Sequence, residues 1–466
     1  MTENKLQEFN ILTELLSHRS YASLIQRLDE MNPMDAAEYL TTLSTEQIPF
    51  VFRILRKDTA AEIFAELDPE LQNLIVAQLS DREMREIIEE LSTDDAVDML
   101  EEMPANVVKK ILQNASSETR AELNRFLSYP ENSAGSVMTS EFIDLRRAMT
   151  CAQAVDRIRR TGLDKETVYV AYVTDEKRVL QGVVPLKSLL FSEPHQTLGE
   201  IMDEAVIYAH TLDDRETVAN LISHYDLIAL PIVDTENRLV GLVTVDDAMD
   251  VMEAEATEDI EKMAAILPTD KPYLRTSVWE TWKKRIPWLL LLMVSATFTS
   301  TIITHYEAAI GTYAILSAFF PMLMDTGGNA GGQTSVTVIR GMSLEEIRLG
   351  DVFRVLWKEF RVSLLCGLTL AAATFLKVYA VDFHFHSITV LENGSIQNNL
   401  LIAAIISVTV FCAIIIAKLI GTLLPMGAKR LGLDPAVMAS PFITTIVDTL
   451  VLMLYFTIAS ALLPLG

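Results

Sequence analysis

The spacing of hydrophobic positions changes character along the chain. Up to about residue 130, apolar side chains recur three and four apart in short blocks such as DAAEYLTTLS, DTAAEIFAELD, REMREIIEELS and DDAVDMLEEMP. That is the spacing of one face of an α-helix. Each block begins near Asp or Ser, which cap the free N–H groups of a first turn. A short amphipathic helix cannot bury its apolar face alone, so the blocks predict a stacked helical superhelix. YPENSAG, residues 129–135, closes it with turn residues.

The next stretch repeats itself with a period of about sixty residues. VMTSEFIDLRRAMTCAQAVDRIR matches IMDEAVIYAHTLDDRETVANLIS, and YVAYVTDEKRVLQGVVPLKSLL matches LIALPIVDTENRLVGLVTVDDAM. Each copy reads strand, helix, strand, turn, strand, helix, with Asp175 and Asp234 opening the turns and Gly182 and Gly241 starting the strands that follow. The repeat resembles a tandem pair of CBS domains, a regulatory α/β module. It says little about the ligand.

Beyond Pro287 the apolar runs lengthen. Residues 287–304, 308–324, 362–381, 399–424 and 441–465 read as five membrane spans, since a spanning helix needs about 20 mainly apolar residues. Lys283, Lys284 and Arg285 precede the first; Arg340, Arg348, Arg354, Lys358 and Arg361 separate the second and third; Lys429 and Arg430 follow the fourth. The positive-inside bias makes these three places cytoplasmic. The expected arrangement is a multi-pass protein of the cell (inner) membrane, N-terminus cytoplasmic and C-terminus outside. The polar start MTENKLQEFN, with no signal-peptide core, agrees.

Charge sharpens the division. The formal net charge is −25, and 53 Asp or Glu against 29 Lys or Arg lie before Pro287, leaving the membrane half near neutrality. Such a domain repels nucleic acid and anionic lipid and attracts cations. Three cysteines, at 151, 366 and 412, form neither a disulfide framework nor a zinc pattern. No GxSxG, HExxH or P-loop is present, so an enzyme is not expected.

Two features carry candidate chemistry. DDAMDVMEAEATEDIE, residues 246–261, packs eight carboxylates into sixteen residues without Lys or Arg, a helix that is either a solvated acidic face or a cation site. In the membrane half, Asp434 precedes Pro435 as a helix cap would, yet an ionisable residue beside a span is also a functional candidate. MDTGGNAGGQ, residues 324–333, offers Asp325, Asn329 and Gln333 as oxygen donors among four glycines, or else a small-residue packing site. Asp448 lies within the fifth span and either lines a conduit or bonds a neighbouring helix. Oxygen-only donors suit Mg²⁺, which keeps most of its waters. His384 and His386, spaced like ligands, fall in an outer loop and are set aside.

The whole order resembles the MgtE family of magnesium transporters: helical N-domain, YPENSAGSVMT, CBS pair, VDDAMDVMEAEATEDI, then five spans with TGGNAGGQ and LGLDPAVMASP. Asn132 stands where the family usually has Asp. The resemblance implies a helical N-domain (1–130), CBS domain 1 (131–200), CBS domain 2 (201–245), an acidic plug helix with linker (246–286) and a transmembrane domain (287–466). It implies a homodimer with a pore Asp, here Asp434, from both subunits. It further implies regulatory Mg²⁺ held by Asp95, Asp214, Glu216, Asp226, Asp247, Asp250, Glu255, Glu258 and Asp259, closing the conduit when cytosolic Mg²⁺ is high. Another divalent cation (Mn²⁺ or Co²⁺), or a nucleotide-regulated ion-coupled carrier, is the alternative. ATP is expected to bind weakly at best, because Leu227 replaces an aromatic that would stack on adenine.

Overall fold

The computed structural model describes residues 3–269, 273–274, 276–307, 314–344, 346–385, 396–438 and 440–463. It divides into two compact units, Met1–Glu253 and Ala254–Gly466, so the boundary falls inside the acidic helix.

The first unit opens with helices α1 (Glu3–Ser17), α2 (Tyr21–Asp29), α3 (Pro33–Thr41), α4 (Gln47–Ile54), α5 (Lys57–Ala65), α6 (Pro69–Gln78), α7 (Asp81–Glu90), α8 (Thr93–Glu102), α9 (Ala105–Asn114) and α10 (Ser117–Phe126). Side-chain caps start several of them: Asn32 on α3, Ser80 with Glu83 in a capping box on α7, Ser92 on α8. α1 packs on α2, and from α3 onward each helix packs on the next but one, α3 on α5, α5 on α7, α7 on α9, and likewise through the even members from α4 to α10. This staggered stacking buries the three-and-four-apart faces around Leu40, Ile63, Phe64, Val97 and Phe126.

Two matching sheets follow, β1 (Asp144–Arg146), β2 (Val170–Thr174) and β3 (Leu180–Pro185), then β4 (Ala209–His210), β5 (Ala229–Val233) and β6 (Leu239–Thr244). In each the first pair is parallel and the second antiparallel, with a register shift at Val173/Thr174 in one and Ile232/Val233 in the other. The turns are chemically the same: Asp175 Oδ1 accepts from Lys177 N and Val179 N, and Asp234 Oδ1 from Glu236 N and Arg238 N. Gly182 and Gly241 admit the Met202 and Met138 side chains, whose sulfurs would lie 2.7 Å from an added Cβ in both copies. Helices α11 (Cys151–Thr161), α12 (Leu186–Phe191), α13 (Leu198–Ile201) and α14 (Arg215–His224) complete the repeat. The acidic run forms one helix, α15 (Val245–Met263).

The second unit holds α16 (Val278–His305), α17 (Phe320–Ser343), α18 (Val352–Leu376), α19 (Ile396–Arg430) and α20 (Ser440–Leu462). Among the described residues, four stretches are long and apolar enough to cross a membrane: Val278–His305, Leu349–Phe383, Asn399–Arg430 and Pro435–Leu462. The second expected span, 308–324, is described only from residue 314. Residues 308–313 lie outside the described residues, 314–319 are 3₁₀ turns, and α17 begins at Phe320 and runs straight through the glycines. The expected span ended at Met324, short of Asp325 and the glycines that follow. Here those small residues are the packed face instead. An added Cβ at Gly331 would stand 2.9 Å from Ile443 Cγ2 of α20 and 3.2 Å from the Ala417 carbonyl of α19. His384 lies in the π-helical continuation Lys377–Phe385; His386 lies outside the described residues.

Candidate functional site

The end of α19 builds the first constellation. Gly432 adopts a φ of +74°, left-handed backbone that glycine takes without steric cost, and Leu433 N donates back to the Ala428 carbonyl at 2.9 Å. The reversal delivers Asp434, whose Oδ1 accepts from Ala436 N at 2.8 Å and caps the 3₁₀ turn Pro435–Met438. Its Oδ2 lies 2.7 Å from Lys262 Nζ on α15. Lys262 also pairs with Glu258. Burial opposes the ammonium charge, but the hydrogen bonds to Asp434 and Glu258 outweigh it and raise the Lys262 pKa. Burial, and then the nearby Asp434, raise that of Asp259. Asp434 thus caps with one oxygen and holds a cation with the other. Lys262 follows the acidic run directly, and its spacing of four from Glu258 is the signal that a count of carboxylates overlooks.

A second constellation lies on α17. Asp325, Asn329 and Gln333 recur at intervals of four on its exposed face, while Gly327, Gly328 and Gly331 face the packed side. Asn329 Nδ2 donates to Asp325 Oδ1 at 3.1 Å. Asp448 stands within α20. Its buried Oδ1 has no hydrogen-bond partner among the described residues.

The third constellation belongs to the first unit. Asp94 is buried, 8 % exposed, and its Oδ1 has no hydrogen-bond partner among the described residues. Around it stand Asp98 of α8, Glu141, Glu166 and Asp247 of α15; Asp98 and Glu166 keep solvent access and Glu141 and Asp247 are half-buried, so the crowding protein around them, then neighbouring carboxylates with Asp94 among them in every case, push each up to about 7. Asp95 is raised by the same causes. Asp250, exposed on α15, is raised by desolvation and by Glu253, and its charge acts in turn on Glu66, which is also exposed. The orphaned oxygen and the oxygen-only donor set fit a hard, hydrated cation. Among the described residues, no three His, Cys, Asp or Glu side chains converge as a ready metal cage.

Asp95, Asp247 and Asp250 therefore share one acidic region, and Glu258 and Asp259 lie beside Lys262. Glu255 is half-buried on the same helix. Asp214 is the N-cap of α14, accepting from Glu216 N at 2.8 Å, and Asp226, at a φ of +51°, borders a cavity. None of Asp214, Glu216 and Asp226 is among the carboxylates that push Asp98 or Asp247. Asp94, Asp98, Glu141 and Glu166 escaped sequence reading; the doublet at 94–95 with Asp98 one turn on was the available signal for α8, and nothing local marks Glu141 or Glu166.

The cavity, about 550 Å³, lies within the paired repeats and is lined by Tyr169, Tyr172, Phe191, Asp203, Asp226 and Leu227 among others.

Comparison with known proteins follows the same divisions. The family description "MgtE intracellular N domain" matches residues 31–132, "CBS domain" matches 198–254, and "Divalent cation transporter" (MgtE) matches 320–458. The chain is 36 % identical to "Magnesium transporter MgtE" of Thermus thermophilus over 97 % of its length and 98 % of that protein. It is 30 % identical to the protein of the same name from Bacillus subtilis, covering 95 % and 94 %. A solved structure, "the soluble part of a magnesium transporter", superposes with a TM-score of 0.52 at 28 % identity over 54 % of this chain and 99 % of that one. The chain belongs to the MgtE family of magnesium transporters.

Proposed function

We propose that the chain is a Mg²⁺-selective channel or transporter of the cell membrane, closed by Mg²⁺ bound among its cytoplasmic carboxylates. The observation that carries the gating is buried Asp94, whose Oδ1 has no hydrogen-bond partner among the described residues and whose charge acts on carboxyls of α8, of residues 141 and 166 and of α15 around it. Such a cluster is costly while charged and uncompensated, and a divalent cation binding between its elements compensates it. High internal Mg²⁺ then draws α8, the 141 and 166 segments and the start of α15 together; low Mg²⁺ releases them. The regulatory set on this reading is Asp95, Asp247 and Asp250 with Asp94 and Asp98, and Glu255, Glu258 and Asp259 along α15. Asp214, Glu216 and Asp226 remain proposed peripheral contacts.

In the conduit, Asp434 supplies a carboxylate to a hydrated Mg²⁺, and Asp325, Asn329 and Asp448 are further donors. Five crossings enclose a pore poorly, so the working unit is a homodimer with Asp434 contributed by both copies. The N-terminus is cytoplasmic and the C-terminus outside. The Tyr169 and Phe191 rings favour an adenosine nucleotide such as ATP in the CBS cavity, while Asp203 and Asp226 oppose its phosphates.

The deciding variant is Asp434→Asn, which keeps an excellent cap and deletes only the charge. Expression and dimer fraction should stay normal while uptake of ²⁸Mg²⁺ into proteoliposomes, or its preference over monovalent ions, falls at least tenfold. Near-normal, selective uptake would remove Asp434 from the conduit and leave a cap.

A further inference from the structure

A second pair of charges lies inside the apolar part of the second unit. Lys418 of α19 and Glu359 of α18 approach to 3.3 Å with side chains only 8 % and 13 % exposed. Lys418 Nζ donates to Thr334 Oγ1 of α17 at 3.0 Å, and that hydroxyl donates to Glu359 Oε2 at 3.1 Å. Three helices therefore meet in one closed triangle. Lys418 stands about twelve residues before the end of α19, roughly 18 Å along the axis at 1.5 Å per residue, within the run VFCAIIIAKLIGTLL.

Ionisable groups at such depth are expensive and mark function more often than stability. A well-packed apolar pair would hold the helices as firmly. The surroundings show what this triangle adds. Lys418 lies one turn before Gly421, where α19 presses on the Gly331 carbonyl of α17, so the helices are already tightly apposed without it. Thr334 follows Gln333, the last of the exposed oxygen donors on α17. Its other neighbour, buried Ser335, donates to the Met438 carbonyl at 3.2 Å, in the turn that Asp434 caps. Fixing Thr334 therefore fixes the rotation of α17 about its axis. That rotation sets where Asn329 and Gln333 stand and how Ser335 grips the Asp434 turn.

We propose that Lys418 and Glu359 are positioning residues for ion selectivity, acting through Thr334 on the α17 donor stripe and the Asp434 turn. The inference rests on the conduit reading above. Neither residue touches the ion; each acts through α17.

Thr334→Val is isosteric, removes both hydroxyl bonds and leaves the ion pair in place. Lys418→Met with Glu359→Gln removes both charges together and leaves none buried alone, whereas Glu359→Gln by itself strands Lys418. Each is compared with wild type for thermal unfolding, dimer fraction and ²⁸Mg²⁺ uptake in competition with Co²⁺. Thr334→Val and the neutral double variant should fold and dimerise normally and take up Mg²⁺ within about threefold of wild type. Their Mg²⁺ preference over Co²⁺ should fall at least fivefold, and Thr334→Ser should restore it. Glu359→Gln alone should lose uptake at least tenfold, and the added Lys418→Met should recover it. Wild-type preference in both Thr334→Val and the double variant would overturn the proposal and leave a packing element. Asp434→Asn measured alongside separates the readings. Lost uptake there with unchanged Thr334→Val defeats the positioning role alone. Normal uptake there with altered Thr334→Val preference defeats only the Asp434 assignment.

Discussion

Replacing Lys262 by Met removes the ammonium that Asp434 holds and keeps an unbranched side chain of similar length. Lys262 is 24 % exposed and Asp434 36 %, so the pair is partly screened and its Coulomb energy must be discounted. A surface pair contributes up to about 1 kcal/mol, and a hydrogen bond to a charged group about 1.5 to 3. An intermediate value of about 1 to 2 kcal/mol is a factor of roughly 5 to 30 in an equilibrium. If the tethered ammonium occupies the Asp434 carboxylate when the conduit is closed, Lys262→Met shifts the balance toward the open form by that factor. In patches or proteoliposomes with internal Mg²⁺ varied, half-inhibition should move about 5- to 30-fold higher. Lys262→Arg, which keeps the charge, should shift it far less. Unchanged inhibition in Lys262→Met, or an Arg variant as deregulated as the Met one, would refute the tethered-cation reasoning.

Asp247→Asn with Asp250→Asn should leave maximal transport intact and weaken inhibition by internal Mg²⁺, seen as patch currents that persist at Mg²⁺ levels closing the wild type. Desolvation and then neighbouring carboxylates push Asp98, Glu141, Glu166 and Asp247 up to about 7 in the folded protein, above ordinary carboxylates near 4. The folded protein therefore binds more protons than the unfolded chain between those limits, and stability falls as pH rises through about 7. Without Mg²⁺, the melting temperature of the cytoplasmic transition should rise as pH is lowered from about 8 to 6. Saturating Mg²⁺ should flatten that trend, and a transition that falls on acidification would contradict it. Calorimetry should detect at most weak ATP binding, with Kd no tighter than about 1 mM; micromolar affinity would show that Tyr169 and Phe191 make good the aromatic missing at 227.

Local pattern carried the architecture because most of it is local. The helical blocks, the doubled strand–turn–strand units and the Asp175 and Asp234 turns each depend on residues within a few positions of one another. What escaped the sequence depends on tertiary contact. α17 reads as glycine-rich and polar until α19 and α20 are laid against it, so its run from Asp325 to Ser343 was not read as part of a packed helix. Asp94 becomes the centre of an acidic cluster only when residues 141, 166 and 247 converge on it from distant parts of the chain. Asp434 was legible as cap and as ligand candidate, but its partner Lys262 lies in a helix more than 150 residues earlier. The Lys418–Glu359 pair carried no pattern at all, since a single lysine in an apolar run looks like an accident until its partners on two other helices are known.

The packing of α17 bears on how the protein reaches its bilayer. Its small and polar residues keep it out of the group of helices apolar enough to cross unaided, and the faces that shelter it are supplied by α19 and α20. Those helices leave the ribosome after it. Until they are made, the face of α17 that carries its glycines has no covering surface from them. The glycines that allow tight apposition in the finished bundle thus make the burial of α17 depend on helices synthesised after it, and an interruption of synthesis before residue 440 leaves part of its packed face uncovered.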